Sequence, residues 1–238
     1  MFDEIERDEV TTMIDRMVDE LLHTAGVTAP PVDAIDLAQR HLGITVCLDK
    51  QQAQRGRAQR TSGRSHIYLR PEPTEERHQW TVAHEIGEHL KAELMQRLGI
   101  EPGQAKAMTG ESLANLFAYR LLVPSCWFAG DARAMEYDLL KLKGRYKTSS
   151  HEVIAWRLLD LPEPCVITIF DNDTLSRRRS NGPRVTRDLL AVEKKCQQLV
   201  HRTGLAKTAR NDGVTVRGWP VHMLDWKREI LQTALEDA

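Results

Sequence analysis

The sequence lacks the features that would direct a protein to a membrane or out of the cell. It contains no run of about 18 apolar residues, the length a helix needs to cross a bilayer. Its N-terminus is acidic and has neither the basic region nor the apolar run of a signal peptide. We therefore expect a cytoplasmic protein that does not bind membranes.

The cysteines are few and unpaired in the sequence. They form no C-x-x-C motif and stand at Cys47, Cys126, Cys165 and Cys196. This spacing argues against a cysteine zinc site or a redox motif, and it fits reduced thiols in a cytosolic compartment. Internal repeats and low-complexity segments are absent as well.

Strong net charge is also missing, although the local balance is uneven. The formal net charge is −1, so no global field favours nucleic acid or membrane. Residues 1–24 hold eight acidic residues against two arginines, whereas residues 50–70 hold six basic residues and no acid. We interpret each stretch as a solvated face. A length of 238 residues with 41% hydrophobic and 28% charged residues suits one large globular domain or two small ones.

The hydropathy pattern before residue 75 predicts helices followed by strands. The predicted helices lie at 3–24 and 32–42, and the predicted strands at 44–48 and 65–70. The segment 50–60 between these strands is predicted to be an exposed hairpin or edge strand. Thr74 is then predicted to cap a third helix, with Glu75 and Glu76 in the first turn, where acidic side chains complement the helix dipole.

That third helix carries the sequence WTVAHEIGEHL at residues 80–90. In metallopeptidases the pattern H-E-x-x-H places two zinc-binding histidines four residues apart, with a glutamate that acts as base. Here the position four after His84 is Glu88, and the second histidine comes one residue later, at His89. Helical geometry puts Glu88 about 40° and His89 about 140° around the axis from His84. Glu88 is therefore the better second ligand, and Glu85 lies on the adjacent face, within reach of a metal-bound water.

Two other interpretations of the motif remain open. A π-bulge near Gly87 would bring His89 back into the ligand position. The two histidines could also stand by chance on an ordinary amphipathic helix.

A second stretch, ESLANLFAYRLLVP at residues 111–124, makes the first more specific. Together they resemble the ImmA/IrrE-type metallopeptidases, which carry A-H-E-[IL]-G-H on one helix and E-x-x-A-N-x-F-A-x-x-L-L-x-P on the next. This chain has A-H-E-I-G at residues 83–87 and agrees with every fixed position of the second pattern. The resemblance extends upstream through P-V-D at 31–33 and L-G-I at 42–44 and covers about residues 1–130 well.

The resemblance implies a zinc-dependent peptidase of the gluzincin type, with His84 as a metal ligand, Glu85 as general base and Glu111 as the third ligand. The family's second histidine falls on Glu88, and the sequence departs from the family there. A carboxylate also binds zinc, but two carboxylates would neutralise a divalent ion and weaken it as a Lewis acid. A ligand set of two carboxylates and one imidazole is richer in oxygen than the family's set of two histidines and one glutamate, and it favours manganese or iron more. Asn115 is a candidate to orient a ligand by a hydrogen bond.

We expect an α+β protein in three regions. Residues 1–130 would form a zincin-like metallopeptidase domain, residues 131–161 a helix-turn-helix-like segment, and residues 162–238 a small α/β accessory region. The basic residues of the middle segment would suit DNA, but helix pairs of this length mostly pack together, and direct nucleic-acid binding is the less favoured interpretation. In the last region we predict strands at 165–170 and 214–219 and helices at 187–201 and 222–234, with His201 and His222 in structural roles.

The leading hypothesis is an intracellular metal-dependent peptidase, regulatory in role, that cleaves a protein target such as a transcriptional repressor. The alternative is a zincin-fold protein whose site has decayed and which binds a partner without catalysis. A DNA-binding regulator that acts through residues 131–161 is the third hypothesis. Zinc is the expected metal.

Overall fold

The computed structural model describes residues 7–61, 63–100, 110–182, 185–211 and 213–235. The chain divides into two compact units, the first made of Met1–Asp131 with Gly144–Ser150 and the second of Ala132–Lys143 with His151–Ala238. Residues 131–161 therefore contribute to both units, and the predicted boundaries at 130 and 161 remain a prediction. None of the helices in the described ranges is long and apolar enough to cross a membrane.

The first unit contains a short sheet and long helices. In chain order they are α1 (Arg7–Thr24), α2 (Ala34–Asp36) with a π turn at Leu37–His41, β1 (Thr45–Leu48), β2 (Gly56–Thr61), β3 (Arg64–Leu69), α3 (Glu75–Arg97), α4 (Gly110–Leu122) and α5 (Ser125–Ala134). The predicted second helix is thus a short α-helix that continues as a π turn. Asp33 caps it, because its Oδ1 accepts a hydrogen bond from the Asp36 amide at 2.9 Å.

The sheet of this unit has the order β1-β3-β2, with β1 parallel and β2 antiparallel to β3. Because successive side chains of a strand alternate between faces, Ile67 and Leu69 point to the core and are buried, while Tyr68 between them is half-buried. Strand β2 is at the edge and almost wholly exposed, as predicted for the Arg/Gln-rich segment. Helix α3 packs against this sheet and against α4.

Helix α3 begins where the sequence predicted it, but Thr74 does not cap it through its side chain. The Thr74 backbone is extended, as an N-cap requires, yet its hydroxyl makes no capping hydrogen bond within the part of the chain that the structure describes. The predicted Glu75 and Glu76 do occupy the first turn. Helix α4 buries a stripe at helical spacing that includes Ala114, Phe117 and Leu121.

The second unit is built on an antiparallel sheet. After α6 (Leu139–Arg145) and α7 (His151–Arg157), which continues as a 3-10 turn, come β4 (Cys165–Asp171), β5 (Thr174–Ser180), α8 (Ala191–Thr203), β6 (Lys207–Asn211), β7 (Val214–Met223) and β8 (Trp226–Leu235). The strand order is β5-β4-β8-β7-β6. Helix α8 covers one face through a cluster that includes Cys196, Val200 and Leu231. A Cβ at Gly218 would lie 2.8 Å from Val200 Cγ2, so this glycine permits the close approach of α8.

One predicted element of this unit is wrong. Residues 222–234 form no helix: they complete β7, turn at 224–225 and continue as β8. The helical interpretation rested on Leu224, Ile230 and Leu231 as one apolar stripe. In the structure Leu224 is 99% exposed in the turn, and Ile230 and Leu231 are both buried because β8 lies between β4 and β7.

Candidate metal and active site

Helix α3 carries the predicted motif and is α-helical from Glu75 to Arg97. No π-bulge interrupts it near Gly87, so Glu88 lies one turn after His84 and His89 lies on a different side of the helix. His84, Glu85 and Glu88 are half-buried, whereas His89 is exposed. The helix therefore has the straight form from which the ligand role of Glu88 was inferred.

His84 is held by a neighbouring helix. Its Nδ1 lies 3.1 Å from Oδ1 of Asn115, which comes from α4. An amide oxygen only accepts hydrogen bonds, so Nδ1 of His84 is assigned as the donor of this pair, and Nε2 is the nitrogen that would bind a metal. A neutral imidazole fixed in this tautomer is the usual form of a metal-binding histidine. The hydrogen bond that the sequence proposed for Asn115 is therefore present.

Close packing of the two helices allows this contact. A Cβ added to Gly87 would lie 3.0 Å from Ala114 Cα and 3.0 Å from Phe117 Cβ. Two turns before Gly87 on α3, the ring of Trp80 meets Tyr119 edge to face, with centroids 4.7 Å apart. The glycine of the A-H-E-I-G segment thus lets α4 approach until Asn115 reaches His84, and Tyr119 packs against a ring.

Glu85 reaches the edge strand of the sheet. Its Oε2 accepts a hydrogen bond of 3.1 Å from the backbone amide of Ala58 in β2. Gly56, two residues earlier, leaves the room for this contact, because a Cβ there would lie 2.3 Å from Thr81 Cγ2 and 3.0 Å from Glu85 Oε1. Sequence analysis missed Gly56 and Ala58. The available signal was a glycine in a strand, which often marks the close approach of another group.

Glu88 is the most exposed of the predicted ligands. Its side chain is 34% exposed, and its Oε2 lies 3.8 Å from Nζ of Lys91, one turn further along the helix. An ion pair of this kind at the surface contributes little free energy, so it does not oppose the recruitment of the carboxylate by a cation.

The third predicted ligand, Glu111, lies in the first turn of α4, and its side chain is outside the described part of the structure. Among the side chains that are described, no three His, Cys, Asp or Glu groups are placed together to hold a metal ion. The described donors nonetheless suit a divalent cation: an imidazole with its lone pair on Nε2 and a carboxylate one helical turn away.

A buried carboxylate fixes the start of α3 relative to the sheet. The side chain of Glu72 is 3% exposed and accepts hydrogen bonds from Arg70 at 2.8 Å and Arg77 at 3.0 Å. The hydrogen bond from Arg70, followed by that from Arg77, lowers the pKa of Glu72 although burial opposes the shift. The amide of Glu72 also donates to Nε2 of His78 at 3.0 Å. Glu72 thus joins the end of β3 to the first turn of α3.

The helices proposed for DNA contact are engaged within the protein. Residues 153–157 of α7 are all buried, and the Arg157 guanidinium pairs with Asp160. Lys141 and Arg145 lie 3.8 Å and 3.3 Å from Glu136 and Asp131.

The two histidines of the second unit share one carboxylate. His201 Nδ1 and His222 Nε2 lie 2.9 Å and 2.7 Å from the same oxygen of Glu229, whose side chain is fully buried. This arrangement satisfies a buried carboxylate with two donors.

The fold and the two motif helices together define a zincin-like α+β protein. The family model for Peptidase M78, described as the IrrE N-terminal-like domain, matches residues 39–158. The chain belongs to this family, as the residues at 83–87 and 111–124 had indicated.

A solved structure supports the fold. The chain is similar to a Mycobacterium tuberculosis transcriptional regulator with a TM-score of 0.68 and 15% sequence identity, over 96% of this chain and 80% of that one. No curated protein matches the chain.

Proposed function

We propose that the protein is an intracellular metal-dependent peptidase with a regulatory role, which cleaves a protein target such as a transcriptional repressor. The observation that carries the proposal is the hydrogen bond between His84 and Asn115. It prepares a metal-binding imidazole on the helix that the family model matches. The likeness to a transcriptional regulator supports the regulatory role.

His84, Glu88 and Glu111 would hold the metal, with zinc as the family's ion and manganese or iron as alternatives for an oxygen-rich set. When bound, the metal would polarise the scissile carbonyl and lower the pKa of a bound water. Glu85 would act as the general base, and its half-buried carboxylate, which accepts a hydrogen bond from the Ala58 amide, supports this role.

The substrate would lie along β2. An extended polypeptide adds to a sheet through the free backbone groups of an edge strand, and β2 is the edge strand that Glu85 contacts. A peptide paired there would run past the proposed base.

The second candidate function is a binding module without catalysis. The observation that favours it is the departure from the family pattern at residue 88, where a glutamate stands in place of the second histidine. In that case the β2 edge would dock a partner, and no bond would be broken.

Metal content and turnover test the two functions. Protein purified without added metal is analysed for its elements, and its melting temperature is compared with and without chelator. A native-state ligand stabilises the fold, so the peptidase predicts about one metal ion per chain and a lower melting temperature after chelation. Glu85→Gln should retain the metal and lose cleavage. If the melting temperature does not change with chelator and the protein contains no stoichiometric metal, the peptidase is rejected and the binding module is retained.

A further inference from the structure

The edge strand beside Glu85 carries basic residues and no acidic ones. It carries Arg57 and Arg60, Arg64 follows on β3, and residues 50–70 contain no acidic residue. All three of these arginines are exposed. The proposed base therefore stands next to a positively charged strand.

These arginines differ from the other arginines at this end of the sheet. Arg55 and Arg70 lie 3.9 Å and 2.8 Å from Glu72, so each has an acidic partner. Within the described ranges, by contrast, Arg57, Arg60 and Arg64 make no ion pair. Arg57 is supported by a ring instead, since its guanidinium carbon lies 5.5 Å from the centroid of Tyr68. Their charges are available to a partner.

The register places the two arginines of β2 on opposite faces. Arg57 is paired with Tyr68 and Arg60 with Ser65. Residues three apart in a strand point to opposite sides, so Arg60 shares the face of Gly56 and Ala58, next to α3, and Arg57 shares the face of Tyr68. A strand added to this edge would place side chains of one face beside Arg57 and side chains of the other face beside Arg60.

We propose that the protein selects an acidic polypeptide segment, bound in an extended form along β2, with acidic side chains opposite Arg57 and Arg60. Opposite charges on neighbouring strands attract, and like charges disfavour basic segments. The inference rests on the proposed function, because it names the substrate class of that same site.

A nucleic acid strand fits these observations less well. It would bind through the face that Arg57 and Arg64 share with the two rings, and it would leave Arg60 on the opposite face without a partner. The ring contacts of that surface in the described chain are limited to His66 and Tyr68, with centroids 6.1 Å apart. Apart from the Ala58 amide, which donates to Glu85, the backbone edge of β2 offers hydrogen bonds that a peptide uses and a nucleic acid does not.

The test measures binding without turnover. Full-length Glu85→Gln protein is titrated against three fluorescein-labelled pools of 12-residue peptides. The pools share random positions and differ at two positions three residues apart, which hold Glu, Gln or Lys. Fluorescence anisotropy at low salt should give roughly tenfold tighter binding of the Glu pool than of the Gln pool, as two exposed ion pairs allow. The preference should shrink in 0.5 M salt, because the pairs are screened.

Charge reversal sharpens the test. With Arg57→Glu and Arg60→Glu added, the preference should invert toward the Lys pool, and with Arg57→Gln and Arg60→Gln it should vanish. Arg202→Glu is the matched control, since Arg202 is an exposed arginine of α8 in the other unit, and it should leave the Glu preference intact. Both sites on β2 are exposed, so the melting temperature should change little and shows whether each variant folds.

The outcomes separate this inference from the proposed function. If metal-loaded wild type cleaves protein while the three pools bind equally, the acidic preference is overturned and the peptidase stands. If the pools sort by charge but the protein holds no metal and cleaves nothing, the acidic preference is supported and the peptidase fails. Tight binding of a 12-residue oligothymidylate that the Glu variants abolish, without any peptide preference, would overturn the inference in favour of nucleic acid.

Discussion

His84 and Asn115 are joined across α3 and α4 by a hydrogen bond of 3.1 Å between Nδ1 and Oδ1. The contact connects the two stretches by which the family is recognised, so each helix carries part of one arrangement. Because Asn115 orients the imidazole, removing its side chain should lower the affinity for the metal and leave the stability of the fold nearly unchanged.

We therefore expect Asn115→Ala to lower metal affinity by about 10- to 100-fold, the range seen when the hydrogen-bond partner of a ligand is removed. Asn115→Asp keeps an acceptor at the same place and should retain most of the affinity. Competition with a chromophoric chelator measures both values. Equal affinity in wild type and Asn115→Ala would show that the imidazole is oriented by other contacts.

The contact also depends on the small size of Gly87. Gly87→Ala gains up to about 1 kcal/mol of helix propensity, but its Cβ would lie 3.0 Å from the backbone of Ala114. Overpacking costs about 1–3 kcal/mol, so we expect a net loss of about 1 kcal/mol in the free energy of unfolding, measured in urea.

The matched control for this substitution is Gly130→Ala in α5. A Cβ at Gly130 meets nothing within 4 Å. The gain in helix propensity should therefore not be offset by overpacking, and the protein should be stabilised by up to about 1 kcal/mol. If both substitutions stabilise the protein, α3 and α4 have room to separate and the close approach at Gly87 is not required.

The sequence predicted the elements whose signals are local. The capping position and the acidic first turn located α3, and the position-specific pattern at 111–124 located α4. The face shared by His84 and Glu88 followed from helix geometry alone.

The features that the sequence did not predict depend on contacts between residues far apart in the chain. The Glu85 carboxylate meets the Ala58 amide 27 residues away, and no spacing rule encodes that pair. Strand β8 was taken for a helix because a central strand is buried on both faces and loses the alternation that identifies edge strands. Strand β6 (Lys207–Asn211) was missed for the opposite reason, because it is a polar edge strand with no apolar pattern.

Glu72 predicts a pH-dependent contribution to stability. Its pKa is lowered in the folded protein, mainly by the hydrogen bond from Arg70, and an unperturbed glutamate titrates near about 4.3. The stabilisation is therefore complete above about pH 4.3 and is lost as the pH falls through the lower folded pKa. Because Arg70 and Arg77 are 40% and 47% exposed, we expect Glu72→Gln to cost only about 1 kcal/mol at pH 7.

Urea unfolding at pH 7 and at pH 3 tests this expectation. The difference between wild type and Glu72→Gln should be present at pH 7 and should shrink at pH 3. Glu75→Gln, an exposed acidic residue of the first turn of α3, serves as the control and should change stability by a few tenths of a kcal/mol through the helix dipole. A Glu72→Gln difference that stays constant with pH would assign the effect to packing.

The register of the ligands can be decided by two neighbouring substitutions. Because α3 has no π-bulge and His89 is exposed, Glu88→Ala should lose most of the bound metal and His89→Ala should keep it. Glu88→His restores the family's residue and should also keep the metal. It removes one negative charge from the ligand set, so the metal becomes a stronger Lewis acid and any cleavage should rise or move to lower pH. Elemental analysis of the three variants after identical purification measures the metal. If His89→Ala empties the site while Glu88→Ala does not, metal binding rearranges the helix around Gly87, and Glu88 is not a ligand.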